Sequence, residues 1–155
     1  MSIRSINKSL IACWLRDVQP CRAPSLQGHG ATEWLSALCK FTGLERLHLE
    51  WPSLRSLPEG LEQHSSLQLL DLRACSSLAS LPDSLRQLRS LQMLDLGGCI
   101  SLASLPKSLG CLSSLQELNL SGCHSLASLP ESLGQLSSLQ ELILRACTSL
   151  PSLPN

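Results

Sequence analysis

A block of 24 residues repeats along most of this chain, and this repeat limits the possible folds more than any other feature. Full copies begin at Leu67, Leu91 and Leu115, and a truncated copy begins at Leu139. An earlier copy begins at Leu44 and is one residue shorter. The shared frame is L-x-x-L-x-L-x-x-C-x-S-L-x-S-L-P-x-S-L-x-x-L-x-S. Recurrence at such an interval is typical of architectures that stack one small unit many times.

The composition supports a core made by stacking. Leucine occurs 38 times and serine 27 times in 155 residues, whereas valine and phenylalanine occur once each and tyrosine is absent. No single copy can bury its own leucines, so neighbouring copies must cover one another. A formal net charge of zero disfavours nucleic acid as the main partner. No apolar run approaches the roughly 20 residues that span a bilayer, so we expect no membrane span.

Each copy is predicted to contain a short strand followed by a bend and a return. Leu70 and Leu72 alternate as in a half-buried strand. Pro82 excludes a central strand at its position but is tolerated in a first helical turn. Leu85 and Leu88 are three residues apart, which suits a tight turn or a short 3₁₀ or α segment. The predicted fold is an α/β solenoid with a curved parallel sheet on its concave face and short helical turns on its convex face.

The repeat frame resembles the leucine-rich repeat family. Residues 67–75 with 77–82, and residues 115–130, are similar to repeats of plant intracellular disease-resistance receptors, the TIR-type nucleotide-binding leucine-rich-repeat proteins. The resemblance covers residues 44–155 and implies a cytoplasmic role in plant innate immunity, in which the repeats sense effectors and restrain a nucleotide switch. ATP binding is not implied for this chain, because no phosphate-binding loop occurs in it.

The two ends of the chain depart from the frame. Residues 1–30 are interpreted as an irregular N-terminal segment, and residues 31–43 as a degenerate half-repeat that caps a repeat domain over 31–155. The last copy stops before its return segment. We therefore expect a piece of a larger receptor or a truncated gene fragment, with self-association through an uncapped C-terminal repeat.

Cysteines recur at the repeat interval, at Cys75, Cys99, Cys123 and Cys147. Stacking places them in a line, whereas metal ligands must converge on one point. We interpret them as buried thiols that pack as small apolar groups and donate weakly to carbonyl groups. The sequence contains no nucleophile elbow and no H-E-x-x-H pair. We predict no catalytic, cofactor or metal site, and no enzyme.

The remaining candidate for function is the concave surface. Residues that flank the inner leucines of each strand point outwards, and they vary between copies. Trp51, Arg73 and Arg145 are of the types that anchor interfaces. Gly97 and Gly98 leave a bare spot midway along the face. The candidate protein-binding residues are Arg46, His48, Glu50, Trp51, Leu69, Asp71, Arg73, Met93, Asp95, Glu117, Asn119, Glu141, Ile143 and Arg145.

These features predict a non-catalytic protein–protein interaction module that binds an effector, a signalling partner or other domains of its parent receptor. One alternative is an intracellular scaffold of the Ras-binding repeat type, whose repeats share L-x-x-L-P-x-x-L but have asparagine in place of cysteine. Another is a fragment without an independent function. A ubiquitin ligase like the leucine-rich-repeat effectors of bacteria is disfavoured, because those proteins use repeats of about 20 residues and a separate catalytic domain.

Overall fold

A parallel sheet of six short strands forms one side of the molecule. The computed structural model describes residues 43–57 and 60–151, together with the backbone of residues 5–6. Every strand pairs in parallel with the next strand along the chain, so the sheet order follows the sequence order. The predicted solenoid is thereby confirmed. The strands are β1 (Ser5–Ile6), β2 (Arg46–His48), β3 (Leu69–Asp71), β4 (Met93–Asp95), β5 (Glu117–Asn119) and β6 (Glu141–Ile143).

The sheet register advances by one repeat from strand to strand. Leu47 pairs with Leu70, Leu70 with Leu94, and Leu94 with Leu118. All four side chains are fully buried, because alternation along each strand turns the central residue inwards. Leu142 in β6 continues this row but is only half-buried.

The chain returns from strands β2 to β5 through 3₁₀ helices: η1 (Leu61–Gln63), η2 (Asp83–Gln87), η3 (Lys107–Cys111) and η4 (Glu131–Gln135). Pro82 is extended and immediately precedes η2. The backbone N–H of Leu85 donates to the Pro82 carbonyl at 3.1 Å, and that of Leu88 donates to Leu85 at 3.0 Å. The sequence left 3₁₀ and α segments open. Leucines three residues apart fit the 3₁₀ helix, since its side chains recur at i and i+3.

Four cysteines link successive layers of the solenoid. The thiol of Cys99 donates to the carbonyl oxygen of Leu72 in the preceding copy, at 3.3 Å. The backbone N–H of Cys75 donates to the same oxygen at 3.2 Å. Equivalent thiol bonds join Cys75 to Leu49, Cys123 to Leu96 and Cys147 to Leu120. The interpretation as buried thiols that donate to carbonyl groups is confirmed for Cys75, Cys99 and Cys123, whereas Cys147 donates in the same way but is only half-buried.

Strand β1 was not expected from the sequence, because residues 1–30 share no frame with the repeats. Its backbone pairs Ser5 with Arg46 and Ile6 with Leu47. The rest of that segment, and the predicted half-repeat apart from Gly43, lie outside the described residues. Within the residues that the structure describes, no helix has the length and apolar character needed to cross a bilayer.

Candidate protein-binding face

Three rows of side chains follow the exposed side of the sheet. The first and second rows are the strand residues on either side of the central leucine, and the sheet register aligns them. The third row lies just beyond the strands. The first row is Arg46, Leu69, Met93, Glu117 and Glu141; the second is His48, Asp71, Asp95, Asn119 and Ile143; the third is Glu50, Arg73, Gly97, Ser121 and Arg145.

Side chains of the second row form hydrogen bonds with the backbone of the turns that follow the strands. In three copies, a side-chain oxygen of this row accepts the backbone N–H two residues later, which stabilises the turn in the manner of an Asx-turn. The donors are Arg73 to Asp71 at 3.0 Å, Gly97 to Asp95 at 2.9 Å, and Ser121 to Asn119 at 2.9 Å. The Asn119 amide also donates to Asp95 at 3.0 Å. These candidate binding residues therefore have a structural role that their spacing did not reveal.

Arg73 is engaged by the second row. Its Nε and Nη2 donate to the Asp71 carboxylate at 2.8–3.1 Å, and its Nε lies 3.7 Å from Oδ2 of Asp95. His48 Nδ1 lies 3.1 Å from Oδ2 of the same Asp71 carboxylate. Burial raises the pKa of Asp71, but hydrogen bonds from Arg73 and His48 outweigh it and hold this pKa below its ordinary value. Arg73 and the carboxylates of the second row are thus each other's partners in hydrogen bonds and ion pairs.

The first row borders an open groove of about 570 Å³ that runs across strands β2 to β6. Its cationic end is Arg46, its middle is Leu69 and Met93, and its anionic end is Glu117 and Glu141. Four glutamines, which the sequence interpretation did not single out, line the groove beside this row. They are Gln68, Gln92, Gln116 and Gln140. The available signal was their recurrence in the frame, each directly after the first leucine of a copy.

Trp51 does not belong to the concave surface. Its side chain is only 6% exposed and packs in the leucine core, while its indole Nε1 donates to Oγ of Ser53 at 2.6 Å. The N–H of Leu54 donates to the Trp51 carbonyl, as that of Leu78 donates to Cys75. Trp51 therefore occupies the position of the ladder cysteines, which face inwards. The prediction that Trp51 anchors a partner on the concave face is therefore wrong, because its side chain is buried.

The remaining candidates lie at the borders of the face. Glu50 is exposed and stands where later copies have two residues, because the first copy is one residue shorter there. Ile143 is half-buried in β6, and Arg145 is exposed beyond it. The structure thus brings the first row together around one groove. It also joins the polar residues of the second row and Arg73 in one network of hydrogen bonds and ion pairs, called here the second-row network.

The buried thiols are poorly suited to metal binding or nucleophilic chemistry. Burial, reinforced by the neighbouring Cys75 and Cys123 thiols, raises the pKa of Cys99 to about 12. Burial likewise raises the pKa of Cys123 to about 11. Thiolate is the reactive and metal-binding form, and it is scarce at neutral pH for such groups. Among the described residues, no three His, Cys, Asp or Glu side chains form a group that could hold a metal ion.

Comparisons with known proteins agree with this geometry. A family model described as a leucine-rich repeat region matches residues 14–151. The chain is similar to the solved structure of a leucine-rich repeat protein of Leptospira interrogans, with TM-score 0.58 and 36% identity over 68% of this chain. It is also similar to the leucine-rich repeat domain of the type III effector XopL, with TM-score 0.58 and 27% identity over 70% of this chain. None of the curated proteins matches the sequence.

The chain spans 26% of the Leptospira protein and 37% of the XopL domain. These likenesses therefore concern the repeat architecture, and the activities of the whole proteins are not carried over. Leucine-rich repeat domains are generally protein–protein interaction modules. Neither the family match nor the two structural matches indicates an enzyme family.

Proposed function

Because the chain belongs to the leucine-rich repeat family, we propose that it is a non-catalytic recognition module that binds a protein partner on its concave face. The observation that carries this proposal is the first row with its groove. There, charged and apolar side chains vary from copy to copy beside four recurring glutamines, above an almost invariant stack of buried leucines. A surface that changes from copy to copy above a constant core is suited to recognising a specific partner.

We further propose that the partner belongs to plant innate immunity and that the chain acts inside the cell. The support is the cysteine frame of residues 67–82 and 115–130, which resembles the repeats of plant intracellular resistance receptors. In this proposal, the partner is a pathogen effector or another domain of a receptor that contains these repeats. The second-row network would keep the sheet face rigid while the first row makes the contacts.

Site-specific photo-crosslinking tests the choice of face. A photoreactive residue replaces Met93 on the concave face, and in a matched protein it replaces Gln87, which is exposed in η2 on the return side. Both proteins are incubated with extract of pathogen-infected tissue of the organism that encodes the chain. We expect a discrete crosslinked partner from position 93, competed by excess unlabelled chain, and no such product from position 87.

The plant-immunity part of the proposal is tested on the same crosslinked product by mass spectrometry. An immune receptor domain or a pathogen protein is the expected identification, and a small GTPase would instead favour the scaffold alternative. Equal crosslinking from positions 93 and 87 in folded protein would overturn binding through the concave face.

A further inference from the structure

The groove and the second-row network differ in whether their polar groups already have partners. In the second row, Asp71, Asp95 and Asn119 each accept a hydrogen bond from the backbone of the turn that follows them. In the groove, by contrast, the side-chain amides of the four glutamines make no hydrogen bond within the part of the chain that is described. These amides can both donate and accept. The groove therefore presents hydrogen-bonding capacity that a ligand can use.

The four glutamines form a ladder along one edge of the groove. The backbone N–H groups of Gln92, Gln116 and Gln140 each donate to the carbonyl of the preceding glutamine, at 2.8 Å. Their side chains are therefore repeated at the strand spacing of about 4.8 Å. An extended peptide presents its N–H and C=O groups sideways, perpendicular to its side chains. Such a peptide could pair its backbone with the glutamine edge while its side chains face the first row.

The first row supplies a charge order that a ligand must match. Arg46 and Glu141 are exposed at opposite ends of the groove, and Glu117 adds a second carboxylate next to Glu141. Neither Arg46 nor the two glutamates forms an ion pair within the described residues. Leu69 and Met93 lie between the charged ends and are half-buried. A complementary ligand carries a carboxylate at one end, an apolar group in the middle and a cation at the other end.

The spacing of the row corresponds to a short stretch of extended chain. Arg46 and Glu117 are three strand spacings apart, or about 14 Å. In an extended peptide, residues i, i+2 and i+4 point to the same side, and i to i+4 covers about 13 Å. Three alternate side chains of a peptide can therefore face Arg46, the Leu69–Met93 pair and Glu117 together.

We propose that this groove binds an extended segment of a partner protein with the pattern acidic–x–apolar–x–basic, read in either chain direction. The acidic side chain pairs with Arg46, the apolar one contacts Leu69 and Met93, and the basic one pairs with Glu117 and Glu141. The glutamines hold the peptide backbone, which leaves the two intervening residues free to vary. This assignment rests on the proposed function and specifies the chemistry of the partner at the concave face.

Peptide titration followed by ¹⁵N–¹H NMR of the full chain tests the assignment. The probes are Gly-Ser-Asp-Ser-Leu-Ser-Lys-Ser-Gly, the same peptide with Asp and Lys exchanged, and an uncharged control with Asn and Gln in their places. We expect one or both charged orders to bind about fivefold more tightly than the control, as two exposed ion pairs would give. The amide shifts should cluster at Gln68, Met93 and Glu117.

Charge variants separate the groove from a general charge effect. Arg46→Gln and Glu117→Gln should each lower the preference for the charged peptides from about fivefold to about twofold, because each removes one of the two ion pairs. The matched controls Arg89→Gln and Glu131→Gln are exposed on the return side and should leave it unchanged. Arg46→Glu should transfer the preference to a peptide with lysine at both charged positions.

Equal binding of charged and uncharged peptides, absence of binding by all of them, or equal effects of groove and control variants would each overturn this assignment. The crosslinking comparison between positions 93 and 87 is independent of these peptides. If the peptides fail while position 93 alone captures a partner, the peptide pattern is wrong and concave-face recognition remains. If both fail, the proposed function is wrong as well.

Discussion

Single residues in this solenoid owe their properties to contacts with their own turn and with the copy next to them. Asp71 is buried among hydrogen-bond donors that come from its own turn and from the preceding strand. Cys99 is buried against the carbonyl of Leu72 in the preceding layer. The two pKa values are displaced in opposite directions. For Asp71, burial raises the pKa, but hydrogen bonds, chiefly from Arg73 in its own turn, outweigh it. For Cys99, burial raises the pKa. Because of these displaced pKa values, the free energy of unfolding depends on pH in both the acid and the alkaline range.

Replacing Asp71 by Asn tests the acid side. Because the folded pKa of Asp71 lies below its ordinary value of 3.8, its charge stabilises the fold above that value and stops doing so as the pH falls through the lowered pKa. Asparagine can still accept the turn N–H, as Asn119 does. We expect Asp71→Asn to cost about 1 kcal/mol at pH 7, since its main partner Arg73 is exposed, and less at pH 3. Urea unfolding at both pH values measures this, with the exposed Asp83→Asn as control.

An Asp71→Asn penalty that is the same at pH 7 and pH 3 would show that the carboxylate charge contributes nothing. The exposed control also reports any general effect of removing one negative charge from the chain.

Replacing Cys99 by Ala tests the alkaline side. Burial raises the pKa of this thiol from 9.0 to about 12. Its contribution is complete below pH 9 and is lost as the pH rises towards 12, because the unfolded chain then ionises first. In this pH range, each buried thiol should lower the wild-type free energy of unfolding by about 1 kcal/mol per pH unit. The slope of the free energy of unfolding against pH should be shallower in Cys99→Ala by the contribution of one thiol.

The chain has no tyrosine, so the cysteines dominate this titration. Unfolding is measured between pH 8 and pH 11 with reductant present, and the exposed Cys111→Ala variant should keep the wild-type slope. Identical slopes for wild type and Cys99→Ala would contradict the assignment.

At the scale of elements, the return segments pack as closely as the strands do. A Cβ built on Gly110 in η3 would lie 2.8 Å from the Cβ of Ser132 and would press against the Ser132 carbonyl in the next return segment. For the equivalent Gly134 in η4, no atom of the described residues lies within 4 Å of such a Cβ. The same residue type at the same repeat position is therefore required in one layer and tolerated in the other.

The pair Gly110→Ala and Gly134→Ala tests this packing. Gly110→Ala should cost about 1–3 kcal/mol through overpacking against backbone. Gly134→Ala should be neutral or should stabilise by about 0.4–1 kcal/mol, because alanine restricts the unfolded chain. Urea unfolding of both variants in parallel measures the difference. A similar loss in both would mean that η3 and η4 are not in the close contact described.

At the scale of the whole molecule, stability comes from stacked layers, each in contact with its neighbours alone. Leu94 is fully buried in the central layer, whereas Leu142 at the equivalent position of β6 is half-buried. The same substitution should therefore have different consequences along the solenoid.

Leu94→Ala should cost about 2–5 kcal/mol, the usual range for deleting a buried leucine side chain. Leu142→Ala should cost about half as much, because part of its side chain already meets solvent. Thermal and urea unfolding of the two variants measure the difference. Equal losses of stability in the two variants would contradict the difference in burial between Leu94 and Leu142.

The 24-residue period determined most of the fold on its own. Period and alternation together specify which leucines face inwards, which residues share a row and in what order the strands pair, because all three depend only on spacing along the chain. The inward turn of the ladder cysteines follows from the same periodicity. Strand β1 carries no trace of the frame and was not predictable from it.

Only the tertiary structure decided which concave side chains are available to a partner. Asp71 and Arg73 form hydrogen bonds with each other. Trp51 is buried because the first copy is one residue shorter just before it. Gln68 and its counterparts line the groove, although they lie outside the strands. Availability depends on side-chain contacts within each turn and between copies about 24 residues apart, and a single sequence does not record which of those contacts are made.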